Sequence, residues 1–583
     1  LINYKQLLDK RLGGTRDTLS LLGLGVGALV SNPVTYGTPW MTVAAAALAA
    51  AGGMSLGARL FSGLNEKPVI ESDLNINSSK PPMEWMEDKP VGGFLLGYTV
   101  DGGEPITVPY EDVMRHMCII GQSGVGKTVL GRFLMLQQIM AGGAVVFVDG
   151  KMNGDDIQVM YNYCQWAGRP QDFVVINPGN PEASNTYNPI LFGDPDEVSA
   201  RILSLIPSTE SNAGADYYKQ SGNQGVTTIV AALQRTGVSY NFIDLSILLM
   251  NQKALTYLEK ITPVSDEKTN LSLFLDQYRV AGKDGKQMLD MKRLKETFGG
   301  VGGRMFTFGT GKFGKVTNTY SPDVNLFDAI MAGKVIYMPL PTMGKDIAAN
   351  NFGKMEIGDL RTATSWIQAL PESKRPWPPV LNFFDEAGSY VNASWSRMFE
   401  QCRSAHMALC PAIQTKANFE AISTELSEMI TGNTWTKIFF KIGTQETAEG
   451  IADLIGKEKT ITSSLTTGGS KSNSAQKAHP GQGGSASDGN SVNIAEKLEE
   501  NYKISADDLK SIGKGECIVQ YGGNSIYHIK VPYAFLTEEK NKECGPMRIS
   551  TYRKRFKGKG GNGGGIGLFV NAEKYLSTSK SEE

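Results

Sequence analysis

Eight consecutive residues restrict the fold of this chain more than any others. Gly121-Gln122-Ser123-Gly124-Val125-Gly126-Lys127-Thr128 satisfies G-x-x-x-x-G-K-[ST] at every fixed position. Met117 to Ile120, just before it, reads as a short buried strand, and Val129 to Met140, just after it, as an apolar-rich helix. A strand that passes through a glycine loop straight into a helix belongs to a sheet with helices packed on it. In such a loop the glycines let backbone N–H groups wrap phosphates, and the helix N-terminus adds partial positive charge. Lys127 is placed for the β/γ-phosphates of ATP and the Thr128 hydroxyl for Mg²⁺. A chance glycine-rich turn would lack this strand-loop-helix setting.

The rest of the chain carries the same alternation. Ala144 to Asp149, Phe173 to Ile176 and Lys334 to Met338 are continuous apolar runs of the kind found in parallel sheets, with helical patterns between them. Phe94 to Tyr98 and Ile106 to Val108 read as strands ahead of the loop. The 583 residues suffice for several domains, and 41% hydrophobic residues suffice for a large core. The net charge of −1 gives no global attraction to nucleic acid, so any such contact must be local. Six cysteines without a C-x-x-C pair read as buried reduced thiols, and four histidines without ligand spacing predict no structural zinc.

Val380 to Glu386 is an apolar strand ending in two acids. An ATPase needs one carboxylate at a strand tip to hold Mg²⁺ through water and another to polarise the attacking water. Asp385 fits the first role and Glu386 the second, and the pair becomes specific in company with the glycine loop. Leu409 to Ile413 reads as a further strand, which puts Gln414 at its tip near the γ-phosphate; a strand-end hydrogen bond is the plainer alternative. Arg403 is a candidate for stabilising transition-state charge in a neighbouring subunit, with a surface salt bridge as its plainer alternative.

Between about Pro195 and Asp328 the strand signals stop and helical patterns take over, an all-α insertion. The glycines of Gly299-Gly300-Val301-Gly302-Gly303 read as a hinge. At the other extreme of polarity, Thr18 to Ala58 is charge-free and broken at Pro33 and Pro39, which predicts a transmembrane helical hairpin. Lys5, Lys10, Arg11 and Arg16 before it, with Arg59 and Lys67 after it, place both ends in the cytoplasm. A signal peptide and a soluble core hairpin are the alternatives. Leu1 in place of Met reads as a trimmed start. Ser463 to Asn493 is low-complexity and reads as a disordered loop. Arg548, Arg553, Lys554, Arg555, Lys557 and Lys559 lie in a stretch without acids, either a solvated flexible segment or a polyanion contact.

Taken in order, these motifs resemble the TraG/TraD-like coupling ATPases of type IV secretion and conjugation, within the FtsK/HerA group of P-loop motors. Arg115-His116, Asp149-Gly150-Lys151, Tyr187-Asn188-Pro189, Asp385-Glu386, Arg403 and Gln414 follow the family's order. So do Thr444 to Ala448 with Leu454-Ile455-Gly456, and Asp508-Leu509 with Gly515-Glu516. Gly150 stands where the family usually has proline, which puts the role of Lys151 in doubt, and Thr415 follows Gln414 where serine is common. These departures point to an outlying branch such as the Dot/Icm-like type IVB systems.

The resemblance implies an α/β fold: a RecA-like P-loop NTPase domain with an inserted all-α domain, behind an N-terminal transmembrane hairpin. The corresponding spans are a membrane anchor at 1–65 and a linker at 66–92. The nucleotide-binding domain takes 93–194 and 329–540, the insertion 195–328, and a basic, glycine-rich tail 541–583. It further implies a homo-hexameric motor of the bacterial inner membrane, with its body in the cytoplasm, that uses ATP and Mg²⁺. Its partners would be other type IV secretion components and, as cargo, effector proteins or DNA with relaxase. Two alternatives remain: an FtsK/HerA-like DNA translocase, and a recruitment platform that binds ATP with little hydrolysis.

Overall fold

The apolar runs of the sequence become the centre of one large sheet in a computed structural model of the chain. The structure describes residues 85–533 apart from 153, 206–212, 282–286 and 471–488, together with Cys544. All of these belong to the unit that begins at Ser72. The predicted hairpin of Thr18 to Ala58 and the basic stretch Arg548 to Lys559 lie outside the described residues. Among the described residues no helix is long and apolar enough to cross a membrane.

Eleven strands pair in the order β2-β1-β15-β14-β11-β3-β10-β9-β4-β8-β5. Seven of them run parallel: β3 (Met117–Ile120), β4 (Val145–Asp149), β5 (Phe173–Val175), β8 (Val335–Pro339), β9 (Val380–Asp385), β10 (Met407–Ile413) and β11 (Thr436–Phe439). Every residue of β3, β4, β8, β9 and β10 is buried, as a strand covered on both faces requires. Four antiparallel strands finish one edge: β1 (Gly93–Thr99), β2 (Pro105–Pro109), β14 (Glu516–Tyr521) and β15 (Ser525–Lys530).

Register decides what the sheet presents. Asp149 pairs with Asp385, Asp385 with Ala412, and Ile413 with Ile120, so the carboxyl ends of β4, β9, β10 and β3 finish level. Two helices fix this edge: α2 (Lys127–Met140) follows the glycine loop and α3 (Gly154–Trp166) follows β4. Gly131 of α2 lies flat on the Phe383 ring, where any Cβ would collide, so the helix sits close against β9. The segment read as linker ends in a helix instead. Helix α1 (Trp85–Asp88) buries Trp85 fully, edge-on to Phe133 at 5.0 Å, because an indole of that size is worth more in the core than in a linker.

The stretch between β5 and β8 is helical except for one correction. It holds α4 (Pro195–Leu203), α5 (Ala213–Thr236), α6 (Phe242–Met250), α7 (Gln252–Ile261), α8 (Asp266–Asp276), α9 (Met291–Gly309), α10 (Gly311–Thr317) and α11 (Leu326–Met331). A small hairpin, β6 (Arg279–Ala281) with β7 (Gln287–Leu289), interrupts it, so it is not purely α. The glycine cluster is no hinge either, since it lies inside α9. Gly302 faces Met250 and Gly309 faces Ile243, and Ser246 donates to the Gly302 carbonyl at 2.9 Å. Small residues there let α9 and α6 approach closely. Tyr187-Asn188-Pro189 ties the insertion at its root: Asn188 Nδ2 donates to the carbonyls of Tyr240 (2.9 Å) and Thr319 (2.8 Å). From β8 the long α12 (Thr342–Gln368) returns to β9, and α13 (Ser396–Gln401) leads to β10.

The low-complexity segment is also corrected. β12 (Lys457–Ser470) and β13 (Gly489–Tyr502) pair in register from Lys457↔Tyr502 to Ser470↔Gly489, so residues 463–470 and 489–493 are strand. Main-chain pairing along a hairpin needs no apolar side chains, which is why composition misled.

Candidate active site

The glycine loop is shaped before anything binds to it. Gly124 and Gly126 hold φ of +79° and +124°, conformations that side chains rarely tolerate. Its backbone is braced from three neighbouring segments. Gly121 N–H donates to Ile413 O (3.2 Å), Gln122 N–H to Lys441 O (3.0 Å), and Gly515 N–H to Val125 O (2.9 Å). A Cβ on Gly121 would sit 2.6 Å from Phe440 Cβ, so the loop needs glycine for contact as well as for conformation. Lys127, at the start of α2, curls its ammonium back to donate to Gly121 O (2.6 Å) and Gln122 O (3.0 Å). Burial first, then the like charge of Lys151, pulls its pKa below the usual lysine range.

Three strand tips face the loop. Thr128 Oγ1 donates to Asp385 Oδ2 at 3.0 Å, joining the two residues expected to serve Mg²⁺. The Asp385 side chain is 1% exposed; burial pushes its pKa up, and Lys151 opposes the shift. The next residue, Glu386, takes a left-handed conformation at φ +52°, a strained choice for a non-glycine residue. That bend turns its carboxylate toward Gln414, whose Nε2 donates to Oε1 at 2.9 Å. Tyr390 OH supports the bend by donating to Asp385 O at 3.0 Å.

Lys151 is the residue that sequence reasoning left in doubt. Its Nζ lies 2.8 Å from Glu386 Oε1 and 3.9 Å from Asp385 Oδ2. Burial works against the Glu386 charge, yet hydrogen bonds from Lys151 and Gln414 outweigh it and hold the carboxyl below its usual range. Gly150 explains the departure from proline: a Cβ there would lie 3.0 Å from both Asp385 O and Glu386 Cβ. The signal was present in Asp149-Gly150-Lys151. Only the strand order, which puts β4 beside β9, joins it to the acid pair.

The structure thus brings together Gly121 to Thr128, Asp385, Glu386 and Gln414. It does not bring Arg403 to them. Arg403 is exposed in the short turn Cys402–Ala405 that enters β10, whereas Gln414 leaves that strand at its other end. The strand's seven residues put about 20 Å between them.

Residues 379–502 match the family model described as the TraM recognition site of TraD and TraG. The type 4 coupling protein DotL of Legionella pneumophila is 23% identical over 391 residues, which are 58% of this chain and 49% of that protein. The chain is similar to the type IV coupling proteins. It spans about half the length of the curated relative it matches. The solved structure of the bacterial conjugative coupling protein TrwBdeltaN70, unbound, aligns at a TM-score of 0.50 with 13% identity, over 78% of this chain and 92% of that one. The plasmid coupling protein TrwB in complex with ADP and Mg²⁺ aligns equally well, at 0.50 and 13%, over 79% and 93%. At such identities these alignments speak for the fold: a parallel-rich sheet layered with helices.

Proposed function

We propose that this chain is the inner-membrane coupling ATPase of a type IV secretion system, binding ATP with Mg²⁺ and feeding effector proteins or DNA–protein complexes to the channel. The observation that carries the reading is the meeting of Thr128, in the first turn of α2, with Asp385, Glu386 and Gln414 at level strand tips, in a chain similar to DotL. The fit to a nucleotide rests on the loop itself. It is a preformed cradle of glycines with a lysine ammonium held, among the described residues, by the loop's own carbonyls. Bound ATP with Mg²⁺ would supply the phosphoryl bond whose hydrolysis drives the motor.

The chain's own residues divide the work. Thr128 and Asp385 hold the metal position, and Lys127 neutralises phosphate charge. Glu386, kept ionised, draws a proton from the attacking water, and Gln414 orients both. Arg403 supplies its cation across a subunit boundary in a homo-hexamer. The hairpin of Thr18 to Ala58 anchors the ring, and the helical insertion selects cargo. A trapping experiment tests the reading. Detergent-solubilised Glu386→Gln protein should bind ATP normally, lose hydrolysis and co-purify with cargo, whereas Lys127→Ala should lose ATP affinity. Equal loss of binding in both variants would overturn the assignment of Glu386.

A further inference from the structure

A polar cavity lies apart from the glycine loop, none of whose residues line it. It has a volume of about 280 Å³ and is enclosed by α4, α12 and the segment from Asn392 to Cys402. Four cations line it, Arg201, Lys354, Arg361 and Arg397, against one carboxylate, Glu197. That carboxylate is already engaged, accepting the Asp194 N–H at 2.9 Å.

The cations are unequally satisfied. Arg201 is buried and paired with Asp359 Oδ1 at 3.1 Å, and donates to Thr362 Oγ1 at 2.7 Å, yet its buried Nε has no hydrogen-bond partner. Among the described residues Arg361 reaches a neutral hydroxyl, Ser394 Oγ at 3.1 Å, and no carboxylate. Burial first, then the charges of Arg397 and Arg201, pulls its pKa down. Lys354 is pulled down by burial and by Arg304. Among the described residues neither Lys354 nor Arg397 has an ion-pair partner. Arg361 and Arg397, both exposed on the cavity wall, repel each other, and an anion held between them would relieve that repulsion. Guanidinium forks match the oxygens of phosphates in bidentate fashion, and serine and threonine hydroxyls on the same wall complete such a shell.

We propose that this cavity is a second anion site, one that takes a phosphate-class group through Arg361 and Arg397, with Lys354 in support. The volume accommodates a diphosphate or one phosphodiester unit with its sugar. An anion held there joins α12 and α4, at the root of the insertion, to the segment that follows Glu386.

Inorganic pyrophosphate titrated calorimetrically into detergent-solubilised full chain tests this. The chain carries Lys127→Ala to weaken the competing glycine loop. The expected result is saturable binding that falls about tenfold or more on adding Arg361→Ala with Arg397→Ala, and recovers only in part with Arg361→Lys and Arg397→Lys, which keep the charge and lose the bidentate fork. With Lys127 intact, the alanine pair should bind ATP normally, which shows that it folds. No binding to the Lys127→Ala chain, or binding indifferent to the arginine pair, overturns the site. A short single-stranded oligonucleotide that displaces pyrophosphate assigns the phosphate to a nucleic-acid backbone; one that does not assigns it to a free phosphate compound. Neither result depends on ATP hydrolysis, so the site stands or falls apart from the coupling function.

Discussion

The two ends of β10 differ in chemistry. At its carboxyl end Gln414 enters a closed cluster in which Glu386, Lys151, Asp385 and Thr128 satisfy one another within a few ångströms. At its amino end Arg403 stands in solvent, while His116 makes the buried contacts there. Among the described residues the first end holds acids, an amide, the proposed metal position and two lysines to meet developing negative charge. The second holds a guanidinium with no phosphate within reach in its own subunit. A ring in which one subunit's amino end meets the next subunit's carboxyl end would complete both. On that reading an isolated subunit would turn ATP over slowly although its own carboxyl end looks complete.

The sharpest test of that contrast is Arg403→Ala, expected to lower ATP turnover in assembled rings by about 10³-fold or more, the usual worth of such an arginine. Mixing it with Lys127→Ala protein should restore activity, because each variant supplies what the other lacks. Mixtures that never exceed either variant alone would confine Arg403 to its own surface. Next in size is Glu386→Gln at the carboxyl end, expected to cost about 10²–10⁴-fold in kcat with ATP affinity preserved. Here mixing with Lys127→Ala should not rescue, since both changes disable the same carboxyl-end machinery. Rescue in that pair would mean that Glu386 also works across subunits.

Lys151→Ala should be milder, about tenfold in kcat, the usual scale for a group that orients another. Its signature is in the pH profile. Lys151 helps to hold the Glu386 carboxyl below its usual range, so without it that pKa rises and the acid limb of activity moves to higher pH. Lys151→Arg should restore the limb. A profile that keeps its position in Lys151→Ala would reduce the lysine to a bystander.

The carboxyl end was legible in the sequence and the amino end was not. The glycine loop, Asp385-Glu386 and Gln414 each sit at the tip of an apolar run, and periodicity locates such runs within a residue or two. Lys151 escaped because its partner lies some 235 residues away, joined by a strand order that no local pattern encodes. The same limit hid the hairpin β12–β13, where main-chain pairing organises a sequence too polar to announce a strand. It also hid the glycines of α9, whose purpose is the approach of α6. His116 could be quoted as part of an ordered motif, but its job depends on residues nearly three hundred positions further on.

That job supplies the smallest predicted effect, one on stability alone. His116 adopts φ +69° and bridges two segments. Its Nδ1 accepts the Leu409 N–H at 3.2 Å, so Nε2 carries the proton and donates to Phe399 O at 3.2 Å. A second proton would destroy the acceptor. Burial chiefly, opposed by the Phe399 carbonyl and aided by the Arg403 charge, lowers the imidazole pKa to about 4. The unfolded chain takes up its proton near 6.5, whereas the folded chain resists until about 4. Stability is therefore whole above about pH 6.5, falls as pH drops toward about 4, and levels off below; the imidazole's share is about 3 kcal/mol. Urea midpoints of His116→Gln protein should lie below those of the parent at neutral pH, yet show a shallower decline over that window. Arg403→Ala should flatten the parent's slope slightly, because removing the cation lets the imidazole hold its proton at higher pH. An unchanged slope in His116→Gln would place the acid sensitivity of the amino end on another group and detach it from the β3–β10 contact.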